Sequence, residues 1–365
     1  MKTPPPVDSG PGRMERRDFL QRAALGAAAL AFPKVPGFLK DVPMGVVVHS
    51  YASRWNSKVQ SRNYPAFTNA LDLLEHCRQI GAGGVQVVVK DWTADFARQV
   101  RERREKLGLY LEGSIGLPKK PEDVAVFEKE VVNAREAGAQ ILRTVTLGGR
   151  RYETFKTRDE FENFRKTSLA SLQMAEPVLK KHKMRLAVEN HKDYTSKELV
   201  TVLKQIGSEW VGATIDFGNN LALLEDPMEV VERLAPFVQS VHIKDMAVDE
   251  YPDGFLLSEV PLGSGILDLP KMIALCRKAN PAVTFNLEMI TRDPLEIPCL
   301  KNEYWATFDH TPGAELARML RTVRQQKYKA GLPRVSGLSA EDRLAAEEKN
   351  IVSSISYSKE RLGLT

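Results

Sequence analysis

Eight short runs of apolar and β-branched residues recur along this 365-residue chain, each trailed by a longer stretch with helical periodicity. The runs lie at 44–50, 84–90, 108–113, 141–146, 185–189, 211–215, 238–243 and 283–289. Their near-continuous apolarity suits strands buried on both faces, and the alternation with helical stretches is the mark of βα units feeding a parallel sheet. Amphipathic stretches at 66–80, 121–137, 161–181, 197–206, 227–234 and 269–278 are long enough for crossover helices. Gly81, Gly138 and Gly207 stand where three of these should end.

Eight such units in one chain of this length predict a single α/β domain, a (β/α)8 barrel over residues 44–330. A loop at 291–312, rich in proline, charged and aromatic residues, should cover the barrel mouth before a last barrel helix at 314–326. Residues 331–365 read as a C-terminal extension with one extra helix, opened by a capping pair, Ser339 and Asp342. Its expected role is packing or subunit contact, so a homo-oligomer is among the expectations.

A 43% hydrophobic and 27% charged composition is that of a globular protein with a sizeable core. The net charge of +5 is spread among interleaved acidic and basic residues, which argues against a nucleic-acid partner. Cys77, Cys276 and Cys299 are far apart and lack zinc spacing, so buried or free thiols are expected.

Arg16-Arg17-Asp18-Phe19-Leu20 resembles a twin-arginine export signal, with Glu15 where Ser or Thr is usual. The weakly apolar run at 23–32 is too short to span a bilayer, and Ala29-Leu30-Ala31 offers a small-residue cleavage site. The expectation is a signal over 1–31, a linker over 32–43, and an exported, periplasmic or envelope-associated protein with no membrane attachment after cleavage. A cytoplasmic location follows if the signal is not used, and Met14 is an alternative start to Met1.

Barrel active sites are assembled from residues at the C-terminal ends of different strands. The last four runs each supply one: Glu189 in VENH, Asp216 in TIDFGNN, His242 in VHIKD and Glu288 in NLEM. Singly, each has a bland role: an ion pair of Glu189 or Glu288 with Arg143 or Arg292, a helix cap, or a core histidine. Three carboxylates gathered near an apolar barrel would repel one another and lose hydration, so together they require a compensating positive charge. One divalent cation supplies it. Oxygen-rich ligation with one imidazole and no thiolate favours Mn²⁺, with Mg²⁺, Co²⁺ and Zn²⁺ as alternatives.

VENH, IDFGN, HIKD and NLEM together resemble the signature of the xylose-isomerase-like TIM-barrel sugar isomerase/epimerase superfamily, from the first strand to the last barrel helix. The resemblance implies Glu189 and Glu288 as a metal-binding acid/base pair acting on a sugar carbon, with Asp216 and His242 as ligands only. Deprotonation beside a carbonyl makes an enediolate, whose charge a chelating metal stabilises. Two departures stand out. The 3-epimerases of that superfamily usually carry His three residues after the metal Asp, where Asn219 stands here, and Arg shortly after the metal His, where Lys244, Asp245 and Met246 stand.

The functional expectation is a sugar isomerase or epimerase acting on a non-phosphorylated sugar or keto-sugar. The alternative is a keto-sugar lyase, a dehydratase, glycoside-eliminating enzyme or decarboxylase on the same metal site. A non-catalytic sugar-binding barrel is third. Expected substrate contacts are His49, Lys90, Glu112 and Arg143 at the earlier strand ends, His191 two residues beyond Glu189, Lys244 on the face of His242, and Trp305 in the long last loop.

Overall fold

The computed structural model describes residues 43–309 and 313–365. Within them run eleven strands: β1 (Gly45–Val47), β2 (Gly84–Val88), β3 (Tyr110–Ser114), β4 (Ile141–Thr144), β5 (Arg185–Glu189), β6 (Val211–Asp216), β7 (Val238–Ile243), β8 (Asp245–Tyr251), β9 (Gly254–Val260), β10 (Thr284–Leu287) and β11 (Leu295–Ile297). β1 to β7 and β10 close into a barrel in chain order, each paired in parallel with its neighbours. These are the eight runs legible in the sequence, and with their crossover helices they form one α/β (β/α)8 barrel.

The helices are α1 (Ala70–Gln79), α2 (Ala94–Leu107), α3 (Val124–Glu136), α4 (Arg151–Thr154), α5 (Arg158–His182), α6 (Ser196–Ile206), α7 (Pro227–Leu234), α8 (Leu269–Ala279), α9 (Gly313–Gln325) and α10 (Ala340–Arg361). Local chemistry sets their ends. Thr157 and Thr195 open α5 and α6 with reciprocal capping boxes to Glu160 and Glu198, and Gly207 closes α6 in the left-handed region at φ 60°. α2 was not among the periodic stretches because only Ala97 and Val100 of its fourteen residues are buried. Its apolar stripe is too thin to stand out.

Val85, Leu142, Leu186, Val188, Ala213, Val241 and Leu287 are buried in the core between sheet and helices. Each fully buried aliphatic side chain contributes about 1.5–3 kcal/mol, so Leu142→Ala should cost about 2–5 kcal/mol. The three cysteines are buried and free.

An element unforeseen in the sequence follows β7. β8 and β9 form an antiparallel hairpin, joined by β11 in a three-stranded sheet outside the barrel. A second apolar cluster, including Leu221, Met246, Phe255, Ile297, Tyr304 and Met319, packs this sheet against α9 and the segment after β6. The expected loop at 291–312 thus contributes β11 and a 3-10 turn at Asn302–Trp305 to that cluster.

α10 follows Ser339, whose hydroxyl accepts from the Asp342 N–H as the capping pair implied. Its Ile351 and Ile355 join the barrel core, and Glu347 accepts the backbone N–H groups of Ser53 and Arg54 at 2.7 and 3.1 Å. The extension therefore braces the loop after β1. The export-signal reading at 1–31 and nearly all of the 32–43 linker lie outside the described residues.

Candidate metal centre

Glu189 ends β5, Asp216 ends β6, His242 is the penultimate residue of β7, and Glu288 follows β10. Each offers a donor atom such that the four atoms lie within 4.8 Å of one another, and all four residues are buried. His242 Nδ1 is 3.4 Å from Glu189 Oε2, 3.6 Å from Glu288 Oε1 and 4.0 Å from Asp216 Oδ2.

Neighbouring polar side chains tie the strand ends together. Asn190 accepts from the Asp216 N–H at 2.8 Å and donates to the Asp216 carbonyl at 2.9 Å, pinning β6 to β5. Ser50 donates to the Leu287 carbonyl at 2.9 Å and accepts from the Met289 N–H at 3.0 Å, bracketing Glu288 from the end of β1. Asp216 Oδ1 accepts the N–H groups of Gly218 and Asn219, which leaves Oδ2 facing the cluster.

Two atoms show what this arrangement needs. Buried His242 Nδ1 and Asp216 Oδ2 have no hydrogen-bond partner among the described residues; the Lys244 ammonium lies 2.7 Å from Asp216 Oδ2 but off a bonding direction. His242 Nε2 is 2.8 Å from Gln86 Oε1, while Gln86 Nε2 donates to Glu112 at 2.9 Å. The imidazole therefore gives its proton to Gln86 and turns a bare Nδ1 lone pair toward three carboxylates. A lone pair facing anionic oxygens is repulsive unless a cation sits between them, so the donor set fits one divalent ion.

The surrounding charges sharpen this. Arg143 grips Glu189 through Nε at 2.5 Å and through Nη2, and Asn219 donates to the other Glu189 oxygen at 2.9 Å. Lys244 reaches Glu288 Oε2 at 2.5 Å. Burial alone would raise the carboxyls, but Arg143 and His242 outweigh it for Glu189, bringing it down to about 2, and Lys244 and His242 hold Glu288 well below the usual range. For Asp216 burial prevails over Lys244 and lifts it to about 6. Burial opposes the charge on His242 and Lys244 too, yet the facing carboxylates raise both; at His242 this draws a proton to Nδ1, the position a metal ion would take instead. Three carboxylates meet two fixed cations, and a divalent ion would turn the small remaining negative charge positive, which suits an oxyanion.

His49 lies 3.7 Å from Glu288 with its side chain 43% exposed, and His191 Nδ1 donates to the Leu147 carbonyl at 3.0 Å. Burial pushes His191 down to about 4. With Lys90 and Arg143 they line a cleft of about 720 Å³ over the barrel mouth. Lys244 reaches two of the acidic donors. Two expected substrate contacts lie elsewhere. Glu112 is inside the barrel, accepting from Gln86, Ser240 and Thr284, because the strand alternation that made it polar turns it inward beneath His242. Trp305 belongs to the apolar cluster outside the barrel, its Nε1 donating to the Cys299 carbonyl at 2.9 Å and its ring against Tyr304 and Phe308.

The sequence reading missed Gln86, Lys192 and Glu259, and offered Arg292 only as an ion-pair partner of Glu189 or Glu288, whereas it pairs with Glu259. Lys192 is 5% exposed, sits at φ 66°, and donates to Asn219 Oδ1; burial lowers it to about 8. Arg292 meets Glu259 through two bonds, at 2.6 and 3.2 Å. The lysine stood in view within VENHKD, whereas Glu259 reaches the mouth only because β9 exists.

The sequence profile of the xylose isomerase-like TIM barrel family matches residues 74–322. The chain belongs to that family. Within it, the chain is 28% identical over 233 residues to 3-oxo-isoapionate decarboxylase of Pectobacterium atrosepticum, covering 62% of this chain and 78% of that protein. Among solved structures, D-psicose 3-epimerase in the presence of D-fructose superposes with a TM-score of 0.58 at 12% identity, over 88% of this chain and 99% of that one. The 3-keto-D-glucoside 4-epimerase of Escherichia coli gives 0.51 at 15%, over 78% and 99%. At such identities the structural likenesses speak for the fold. Family neighbours thus include sugar epimerases and a decarboxylase, which supports an enzyme acting on a small sugar.

Proposed function

We propose that this protein is a divalent-metal-dependent enzyme that generates an enediolate on a non-phosphorylated oxo-sugar, and that its outcome is loss of CO₂ rather than epimerisation. The observation that carries the choice is the pinning of both glutamates. Epimerisation through a carboxylate pair needs one member protonated while the other is ionised. Glu189 is paired with Arg143 and Glu288 with Lys244, and a fixed cation on each favours the ionised form over service as a proton donor.

Loss of CO₂ from a 3-oxo acid needs no base. The C1–C2 bond breaks with release of CO₂, its electron pair moves into the C2–C3 enolate, and a proton from solvent is taken up at C2. Glu189, Asp216, His242 and Glu288 would hold the ion, proposed as Mn²⁺, which would supply Lewis-acid stabilisation to the developing oxyanion. Lys244 and Arg143 keep its ligands ionised and fixed. The decarboxylase relative supports this order of preference over the isomerase or epimerase reading.

Export through the twin-arginine-like start is part of the proposal and favours substrates without phosphate. Among the described residues no helix is long and apolar enough to cross a membrane. The test is to incubate the metal-loaded protein in D₂O with 3-oxo sugar acids and with neutral ketoses. CO₂ release with one deuterium on the product carbon is expected. A labelled product of unchanged carbon count would restore the epimerase reading.

A further inference from the structure

A second, smaller cavity of about 280 Å³ adjoins the metal centre on the Glu288 side, lined by His49, Glu153, Lys192, Glu288 and Arg292 among others. Its charges can be matched in pairs. Arg150 meets Glu153 at 2.5 Å, Arg292 is held by Glu259, and Glu288 is held by Lys244. Lys192 is left over. Its ammonium donates to the neutral Asn219 amide and pairs with no carboxylate among the described residues. Asp216, which shares Lys244 with Glu288 and turns its Oδ2 to the metal centre, and Glu259, which holds Arg292, act on Lys192 only from further away.

A buried ammonium without a counter-ion is costly unless something anionic completes it. Lys192 is also held in a left-handed backbone conformation that a long side chain rarely adopts. The turn is fixed from outside, by Asp193 accepting the N–H groups of His191 and Tyr194 at 3.2 and 2.7 Å, and by the Lys192 carbonyl accepting the Arg151 N–H at 3.0 Å. Such over-determined strain gathers at binding sites. Asn219 then links the subsite to the metal centre, since its amide donates to Glu189 while its oxygen receives Lys192.

We infer that Lys192, assisted by Arg292, forms a carboxylate subsite beside Glu288, and that the substrate is a monoanionic sugar acid. This rests on the oxo-sugar reading of the metal centre. One unmatched positive charge complements one negative charge. A phosphate group, carrying nearly two at neutral pH, would bring excess charge against Glu153 and Glu288. Arg292, neutralised by Glu259, orients the carboxylate without adding a second full charge.

The experiment is calorimetric binding to the Mn²⁺-loaded full chain of a panel of four- to six-carbon aldonates, the matching neutral alditols, and inorganic phosphate. At least one aldonate should bind about tenfold or more tighter than its alditol, with phosphate weaker than that aldonate. Lys192→Met should erase the gap, and Lys192→Arg should restore part of it. Salt sensitivity of the wild-type aldonate affinity checks the same point should Lys192→Met not fold. No aldonate preference in the wild type, a preference that survives in folded Lys192→Met, or tighter binding of phosphate would overturn the subsite. CO₂ release with a KM unmoved by Lys192→Met would sink the subsite and leave the proposed reaction standing. Lys192-dependent aldonate binding without turnover of any oxo-acid would do the reverse.

Discussion

Gln86 accepts the Nε2–H of His242 at 2.8 Å, and that bond decides which imidazole nitrogen is left for a cation. Gln86 is itself oriented by Glu112, which Ser240 and Thr284 hold in turn. A chain of buried polar groups through the barrel thus aims Nδ1 at the three carboxylates. Replacing Gln86 by Leu frees the ring to take its other tautomer. Metal affinity, measured by chelator competition, should drop about 10–100-fold while the ligands remain.

Metal binding should also be a folding term, because the ion relieves repulsion between buried carboxylates. At a concentration of 100 times Kd, Mn²⁺ should stabilise the protein by about 2.7 kcal/mol, seen as a rise of several degrees in Tm. Burial lifts Asp216 to about 6, so below that pH a proton competes with the metal. Affinity should weaken progressively from pH 7 to pH 5, and an affinity flat over that range would contradict the role of Asp216.

The C-terminal helix carries a pH signature of its own. Glu347 is 1% exposed, and burial raises it from 4.5 to about 7 despite the N–H groups of Ser53 and Arg54. A carboxyl raised on folding contributes stability that is fully present below its unfolded value and lost as pH rises through its folded one. The metal-free protein should therefore lose about 1 kcal/mol of stability from this group between pH 6 and pH 8. Glu347→Gln should remove that part of the slope in pH-dependent thermal melts.

Trp305 supports the apolar cluster outside the barrel and not the mouth. Trp305→Phe keeps the ring contacts but loses the bond to the Cys299 carbonyl, costing about 1 kcal/mol in stability. KM and kcat for whatever substrate is turned over should stay within about twofold, since the indole packs in a cluster outside the barrel and shares no partner with the metal centre. A large rise in KM would return Trp305 to the substrate.

The barrel was legible because parallel strands buried on both faces must be continuous apolar runs, and Val211–Asp216 or Val238–Ile243 cannot be much else. The four metal donors were legible because each lies within one residue of the end of one of those runs. The β8–β9 hairpin was not legible although Pro252-Asp253-Gly254 is a turn signal, because Asp245, Asp249 and Glu250 leave only a short apolar run in β8. Glu112 was misplaced because a period of two says which face a residue takes, not how far along the barrel it lies. Lys192 and Arg292 come together with Glu288 only through loops, whose conformations depend on contacts such as Asp193 with Thr146 that no spacing in the sequence announces.

The central claim is that Glu189, Asp216, His242 and Glu288 share a single ion. Its most direct measurement is metal content per chain after Mn²⁺ loading and desalting, for the wild type and for folded Asp216→Asn and His242→Ala variants. The account predicts one ion per wild-type chain and nearly complete loss in both variants. A wild type that retains no metal, or variants that retain as much as the wild type, would contradict it.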